Sequence, residues 1–353
     1  MARIVFGIMG DAHGHLSQAL YLARELPEHE FLFLGGGTVL ELKSHGYNVE
    51  ELPMPATLYH RNRVDVAKTM INTAKVLSAG RRVIQRLMEI YRSFDPALVL
   101  TAYEFFSPLA ARRLDLPSLS VDNHHTLTHC RYPRPRHQRL NRLMTLTPMR
   151  WMFSWTDRDL ISSFYQFPPR NPARTEVFPP LQPRGIRELT PSEGDHVLVY
   201  QTSATFHRLL EALEARPDRF VVYGLGARPP LKNCVFKGFS REGFLADLAS
   251  CRYFITNGGH NAVAEALFLG KPVLSFPIHL AYEQFFNAWM VSRLGYGEYS
   301  LETHPGPELL VYFEKRLDDY RTRIKTGNFW GNEVIAARVR EIIDGRPGGP
   351  RTG

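Results

Sequence analysis

Seven prolines fall between positions 168 and 191 (Pro168, Pro169, Pro172, Pro179, Pro180, Pro183 and Pro191), and they constrain the fold of this 353-residue chain more than any other feature. Proline fixes its own φ and donates no backbone hydrogen bond, so residues 167–193 can form neither a helix nor a central strand. The chain is expected to divide here, with an interdomain linker near 181–193. One alternation runs on both sides of that seam. Short apolar runs at Ile4–Met9, Phe31–Leu34, Val49–Leu52, Leu98–Thr101 and Ser118–Val121 read as buried strands, with helical patterns at Leu16–Glu25, Val64–Arg92 and Ser107–Leu114 between them. The second half repeats it, with strands at Val197–Gln201, Phe220–Tyr223, Cys234–Lys237, Tyr253–Thr256 and Val273–Phe276. Its helical patterns lie at Phe206–Ala215, Arg241–Ala249, Ala262–Leu269, Glu283–Leu294 and Glu308–Ile324. Such alternation builds parallel sheets with helices on both faces, and ligands bind at the carboxyl ends of the strands. The predicted class is α/β, with one domain over residues 1–180 and a second over 194–328. A last helical pattern, Val334 to Ile343 within 329–345, follows the second sheet, and the glycine- and proline-rich tail from Gly345 reads as disordered.

Composition removes several function classes. A hydrophobic share of 44% beside 22% charged residues is that of a globular chain. No apolar run is long enough to span a bilayer, and the N-terminal run is too short for a signal peptide, so a cytoplasmic protein is expected. Cys130, Cys234 and Cys251 are odd in number and unpatterned, which suits neither a disulfide framework nor a zinc site. No metal and no cofactor are expected. The net charge of +8 is uneven. One basic cluster holds Arg61, Arg63, Lys68, Lys75, Arg81, Arg82, Arg86 and Arg92; another holds Arg131, Arg134, Arg136, Arg139, Arg142 and Arg150, interleaved with Tyr132, Leu140, Leu143, Met144, Met149 and Trp151. No nucleic-acid recognition motif accompanies the charge. An anionic membrane surface, where each basic residue contributes about 1 kcal/mol, is the other candidate partner beside a plainly solvated surface.

The segment from 254 to 288 carries the most chemistry. A strand at Phe254-Ile255 runs into Asn257-Gly258-Gly259-His260-Asn261, where a helix starts. Paired glycines permit a tight turn and close approach of a ligand to the backbone. The first amides of the helix lack internal partners and suit a phosphate. Glu265 follows one turn later as an acceptor-only carboxylate suited to a ribose diol. Glu283-Gln284 then opens another helix after the next strand. Anion cradle, diol clamp and second polar pair together describe a pocket for a nucleotide sugar.

This segment resembles the donor-binding signature of GT-B glycosyltransferases, close to the UDP-sugar-dependent small-molecule transferases and the lipid II-forming N-acetylglucosaminyltransferases. The resemblance implies two Rossmann-like domains with parallel sheets facing across a cleft, and a last helix that crosses back onto the first domain. It implies that Gly258, Gly259 and Asn261, with Asn257 and His260, hold the diphosphate of a UDP-sugar. Glu265 would hold the ribose, and Glu283 and Gln284 the sugar hydroxyls. Many relatives have histidine where Asn257 stands and serine where Ala262 stands. Thr202 and Ser203 sit where similar enzymes contact the donor phosphate, and Gly238-Phe239-Ser240 resembles the segment that reads uracil, with Phe239 as cap or plain core.

The first strand ends in Gly10-Asp11-Ala12-His13-Gly14-His15, which does not fit the dinucleotide fingerprint. It is similar to the G-H loop that opens GT-B transferases. Displacement at an anomeric carbon by an acceptor hydroxyl needs a base titrating near neutrality, which a histidine with an ordinary pKa of about 6.5 supplies. By position the base is His15, with Gly14 facing the donor and His13 the acceptor. Relatives often supply an orienting aspartate where Ala102 stands here; Glu104 is the candidate to replace it, as orienter or as base. Asp122, His124 and His125, after the fifth strand, are candidate acceptor contacts, and a His-His pair alone does not indicate a metal. The implied activity is inverting transfer of a sugar from a UDP-sugar to a hydroxyl acceptor. As for the lipid II-forming enzymes, the acceptor could be a lipid or lipid-linked sugar reached by peripheral docking on the inner face of the cell membrane. Two alternatives stay open: a UDP-N-acetylglucosamine 2-epimerase-type isomerase, which needs acids on both sides of the sugar, and a non-catalytic nucleotide-sugar-binding protein.

Overall fold

The apolar runs of the N-terminal half become strands of one sheet: β1 (Arg3–Ile8), β2 (Glu30–Gly35), β3 (Asn48–Glu51), β4 (Leu98–Ala102), β5 (Ser118–Asp122), β6 (Arg158–Ser162) and β7 (Thr175–Phe178). In this computed structural model, which describes residues 1–10, 13–55, 58–60, 63–201, 207–302 and 305–345, their order is β3-β2-β1-β4-β5-β6-β7. Every pairing is parallel. β4 and β5 are buried along their whole length, as strands covered by helices on both faces must be. The helices are α1 (His13–Glu25), α2 (Val66–Ser78), α3 (Gly80–Phe94), α4 (Phe106–Arg113), α5 (Thr126–His129) and α6 (Arg139–Met152).

The chain divides into two compact units, the first formed by 1–58, 65–181 and 330–353. The terminal helix, Asn332–Asp344, therefore counts with the first sheet. Its Ile335, Ala336 and Val339 join a core cluster with Ile4, Leu22 and Leu100. Asn332 donates to Glu25 at 3.0 Å, and Arg340 to Glu28 at 2.6 Å.

The sequence pattern and the structure differ in this unit at four places. The single helix expected over 64–92 is two, α2 and α3, separated at Ala79, where Gly80 closes on the Phe106 ring. β6 offers too few apolar residues to stand out, and β7 lies inside the proline-rich stretch; as the outermost strand it tolerates that neighbourhood. The second basic cluster, not expected to be helical, carries α6.

The second unit comprises 59–64 and 182–329. Its sheet contains β8 (His196–Tyr200), β9 (Arg219–Tyr223), β10 (Arg228–Leu231), β11 (Cys234–Phe236), β12 (Phe254–Thr256), β13 (Val273–Ser275) and β14 (Gly297–Tyr299). The order is β10-β11-β9-β8-β12-β13-β14, with only β10 antiparallel to its neighbour. The helices are α7 (His207–Glu214), α8 (Arg241–Ser250), α9 (His260–Phe268), α10 (Tyr282–Leu294), α11 (Pro307–Glu314) and α12 (Leu317–Ile324). The helical pattern over 308–324 is thus split at Lys315-Arg316. Val197, Phe220, Ile255, Phe313 and Tyr320 share one core.

Both sheets reverse their strand order, the first at β1, between β2 and β4, and the second at β8, between β9 and β12. A crevice opens at the carboxyl ends of the strands where such a reversal occurs. The segments leaving β1 and β4, and those leaving β8 and β12, carry the predicted site residues.

Candidate active site

In the second unit, β12 hands over to α9 through the paired glycines. Gly258 has φ 85°, and a Cβ there would lie 2.7 Å from the Gln284 carbonyl oxygen, so the fold itself requires glycine. Gly259, which precedes α9, has φ −63°, and a Cβ there would meet nothing within 4 Å. Among the described residues no contact explains the second glycine, which stands directly before the first amides of α9, where an anion is favoured.

Several predicted donor residues have partners of their own. Asn257 is buried and donates through Nδ2 to Gln201 Oε1 at 2.5 Å and to the Phe276 carbonyl at 3.2 Å. It ties the ends of β8, β12 and β13 together. Its neighbours His260, buried, and Asn261, half-buried, approach each other at 3.4 Å. Glu265 is 2% exposed and accepts from the Arg241 guanidinium at 2.5 Å. Ser240 caps α8, its Oγ accepting from the Gly243 amide at 3.2 Å. Phe239, next to it, is 52% exposed, with the Tyr200 and Phe244 rings at 6.4 and 6.3 Å. Glu283 Oε1 accepts from Asn287 Nδ2 at 2.6 Å, and the same nitrogen donates to the Gly258 carbonyl at 3.0 Å. Gln284 Oε1 accepts from the Ile278 amide at 3.2 Å. Both members of the expected sugar-binding pair thereby brace the loops around the glycine turn. Thr202 and Ser203 lie outside the described residues.

In the first unit, His13 begins α1, with its side chain outside what is described; Gly14 is exposed and His15 is buried at 8% exposure. The His15 ring faces Tyr103, centroids 5.3 Å apart and planes 14° apart, and His124 at 4.9 Å. Tyr103 is stacked between His124 at 4.1 Å and Phe153 at 4.0 Å. Among the described residues, no carboxylate is paired with His15.

The two acids considered near it are engaged elsewhere. Glu104 is fully buried and accepts from the amides of Phe106 at 2.5 Å and Ser107 at 2.8 Å. Glu104 thereby holds the first two amides of α4, where the sequence had offered it as orienter or as base. Burial pushes its carboxyl above the ordinary range against the pull of those amides. Asp122 is completely buried and meets His125 Nδ1 at 2.7 Å, while its other oxygen accepts from the His125 amide at 2.9 Å. His125 Nε2 lies 2.6 Å from the Phe153 carbonyl, so both ring nitrogens donate and the imidazole is a cation. Burial alone would lower the His125 pKa, but Asp122 raises it to about 9. Burial also opposes ionisation of Asp122, and His125 nevertheless holds it well below the usual range. Asp122 and His125 therefore form a buried ion pair.

Sequence inspection missed Arg241, Asn287, Tyr103 and Phe153. Only Asn287 left a local signal, one helical turn after Glu283. The other three meet their partners through the fold. Among the described residues no group of three or more His, Cys, Asp or Glu could hold a metal ion, and no helix is long and apolar enough to cross a membrane.

Known proteins resemble this chain. The family profile described as glycosyl transferase family 1 matches residues 2–317. An uncharacterized glycosyltransferase of Methanosarcina acetivorans is 26% identical, over 97% of this chain and 98% of its own. A second, of Methanosarcina mazei, is 25% identical over 98% and 99%. Among solved structures, Phytolacca americana UGT2, complexed with UDP-2-fluoro-glucose and pterostilbene, superposes with a TM-score of 0.67 at 14% identity, covering 98% of this chain and 99% of its own. The calicheamicin glycosyltransferase CalG4 gives 0.65 at 19% identity, covering 99% and 100%. At these identities the likeness to the solved structures bears on the fold, which is of the GT-B type.

Proposed function

The chain belongs to glycosyl transferase family 1 and is a glycosyltransferase of the GT-B fold, and from that premise we propose that it transfers a sugar from a UDP-sugar to an acceptor hydroxyl with inversion. Gly259 at the start of α9 carries this reading, because no contact among the described residues accounts for a glycine there. In the proposed reaction His15 takes the proton of the acceptor hydroxyl as its oxygen bonds to the anomeric carbon. The bond from that carbon to the diphosphate breaks on the opposite face, and UDP leaves. The α9 amides stabilise the charge growing on the diphosphate. Glu265, held by Arg241, takes the ribose hydroxyls, and Phe239 offers an exposed ring to the base. A ribose-binding carboxylate favours UDP over a 2′-deoxy nucleotide; one neighbour, VinC, is complexed with DTDP.

Incubation with UDP-glucose, UDP-galactose and UDP-N-acetylglucosamine, with and without phenol and polyprenol acceptors, tests the activity. Acceptor-dependent release of UDP is expected. Epimerisation without acceptor points instead to the isomerase, and failure to bind any UDP-sugar to a non-catalytic protein.

For the acceptor we infer a lipid or lipid-linked sugar reached at an anionic membrane surface. In the first basic segment Val83, Ile84, Leu87 and Tyr91 of α3 point into the core, and only Met70 and Ile71 of α2 are exposed large apolar residues there. Support comes from α6. Leu140, Leu143, Met144 and Trp151 are exposed (Leu140 at 70%, Trp151 at 64%) and follow i, i+3, i+4, i+11, one stripe of the helix. Leu146, Met149 and Met152 bury the opposite face. Arg139 and Arg150 flank the stripe, and Arg131, Arg134 and Arg136 precede the helix, all exposed. An apolar stripe rimmed by arginines is the chemistry of a helix lying in an anionic interface. Vesicle sedimentation, set out below, tests it.

A further inference from the structure

We propose that Tyr103 is the positioning residue for His15, orienting its imidazole by ring stacking where the carboxylate expected at Ala102 is missing. The proposal rests on the reading of His15 as the base. Tyr103 leaves β4 with φ 55°, left-handed backbone that glycine adopts freely and a large aromatic residue adopts only at a cost. Such a conformation persists where its surroundings over-determine it. Here the surroundings are rings. The Tyr103 and Phe153 planes are 3° apart with centroids at 4.0 Å, and His124 covers Tyr103 at 4.1 Å and 24°. His15 meets both, at 5.3 Å from Tyr103 and 4.9 Å from His124.

The far end of this stack is fixed. The Phe153 carbonyl accepts from His125, which is itself paired with Asp122. The order runs from a buried ion pair through a backbone carbonyl and three rings to His15. Face-to-face contact suits a base, because the lone pair of a neutral imidazole lies in the ring plane. Stacking sets the tilt of that plane without occupying a ring nitrogen. A carboxylate partner would instead occupy one nitrogen. Glu104 follows Tyr103 directly but is turned onto the amides of α4, so no acid from this turn competes for the role.

Three variants decide it, assayed by UDP release with the best donor and acceptor of the panel above. Tyr103→Ala should lower kcat at least 10-fold with the donor KM within about twofold, and Tyr103→Phe, which keeps the ring, should stay within about twofold of wild type. A residue that merely supports the fold would not divide kcat from KM in this way, nor be rescued by phenylalanine. Carbon–proton NMR of histidine-labelled protein gives a readout independent of turnover. The His15 Cε1–H signal should carry a ring-current displacement that Tyr103→Ala removes and Tyr103→Phe keeps. If Tyr103→Ala does not fold, Phe153→Leu removes the ring behind Tyr103 and should likewise lower kcat and move the His15 signal. Wild-type kcat and an unmoved His15 signal in Tyr103→Ala, or a Tyr103→Phe as impaired as the alanine variant, overturn the proposal. His15→Ala separates the two readings: if it retains turnover the base assignment fails, and if it is inactive while Tyr103→Ala is active, only the positioning role fails.

Discussion

The guanidinium of Arg241 stands 2.5 Å from the carboxylate of Glu265, so the acid proposed to hold the donor ribose is already half of a largely buried ion pair. Glu265→Ala should weaken UDP binding by about 1.5–3 kcal/mol, the range for hydrogen bonds to charged groups. Calorimetric titration would show this as a 10- to 100-fold rise in Kd, and the UDP-induced rise in melting temperature should shrink with it. The loss should be smaller for a 2′-deoxy nucleotide. Equal UDP affinity in variant and wild type removes Glu265 from the site.

Arg241→Ala acts through the same pair. It removes this cation from beside the buried Glu265, at a cost of about 1–3 kcal/mol in unfolding free energy once the partial exposure of Arg241 is allowed for. The double variant Arg241→Ala, Glu265→Ala should cost less than the two single changes added together. Strict additivity in urea titrations would mean that the pair contributes nothing.

At the catalytic end, His15→Ala should lower turnover about 100-fold or more with donor affinity little changed, the scale of a lost general base. Glu104→Gln should leave turnover near wild type, because both carboxylate oxygens face the amides of α4. Glu104→Ala should cost about 1–2 kcal/mol of stability as a lost helix cap. A large fall in kcat for Glu104→Gln, with the fold intact, would return the base role to that residue.

The buried pair of His125 and Asp122 predicts a dependence of stability on pH. The folded pKa of His125, about 9, lies above its ordinary value of about 6.5, so the folded state holds the proton more tightly. Its stabilisation is complete below about pH 6.5 and falls away as pH rises through 9, by about 3 kcal/mol in all. His129 works in the opposite direction. Burial lowers its pKa to about 4, so its contribution is lost as pH falls from about 6.5 toward 4. Urea unfolding between pH 4 and 10 should show a maximum near 6.5, and His125→Ala should flatten the alkaline limb. An unchanged alkaline limb in that variant refutes the assignment.

For the membrane reading, replacing Leu140, Leu143 and Trp151 together with serine should abolish sedimentation with anionic vesicles while leaving the melting temperature within a few degrees, since all three side chains are exposed. Wild-type binding should weaken in high salt and be absent on neutral vesicles. An Arg81, Arg82, Arg86 triple alanine variant should bind nearly as well as wild type, because its helix offers no exposed apolar stripe. No binding of wild type to anionic vesicles at low salt ends the membrane proposal and leaves the transferase reading intact.

The sequence by itself determined the two parallel sheets and the glycine turn. Buried strands such as Leu98–Ala102 declare themselves by unbroken apolar runs, and the proline seam by its lack of amide donors. Gly258 and Gly259 mark the turn into α9 because backbone conformation is a local property. Partners are not local. That Glu104 caps α4, that Asp122 pairs with His125 against the carbonyl of Phe153, and that Arg241 reaches Glu265 across 24 residues follow only once strands and helices are packed. The same holds for α6, where the pattern of Leu140, Leu143, Met144 and Trp151 would fit a buried face as well as an exposed one. Periodicity reports that one face of a segment is apolar. Which face finds a neighbour, and which charge finds its counterion, is set by contacts between residues far apart in the chain, and those exist only in the folded structure.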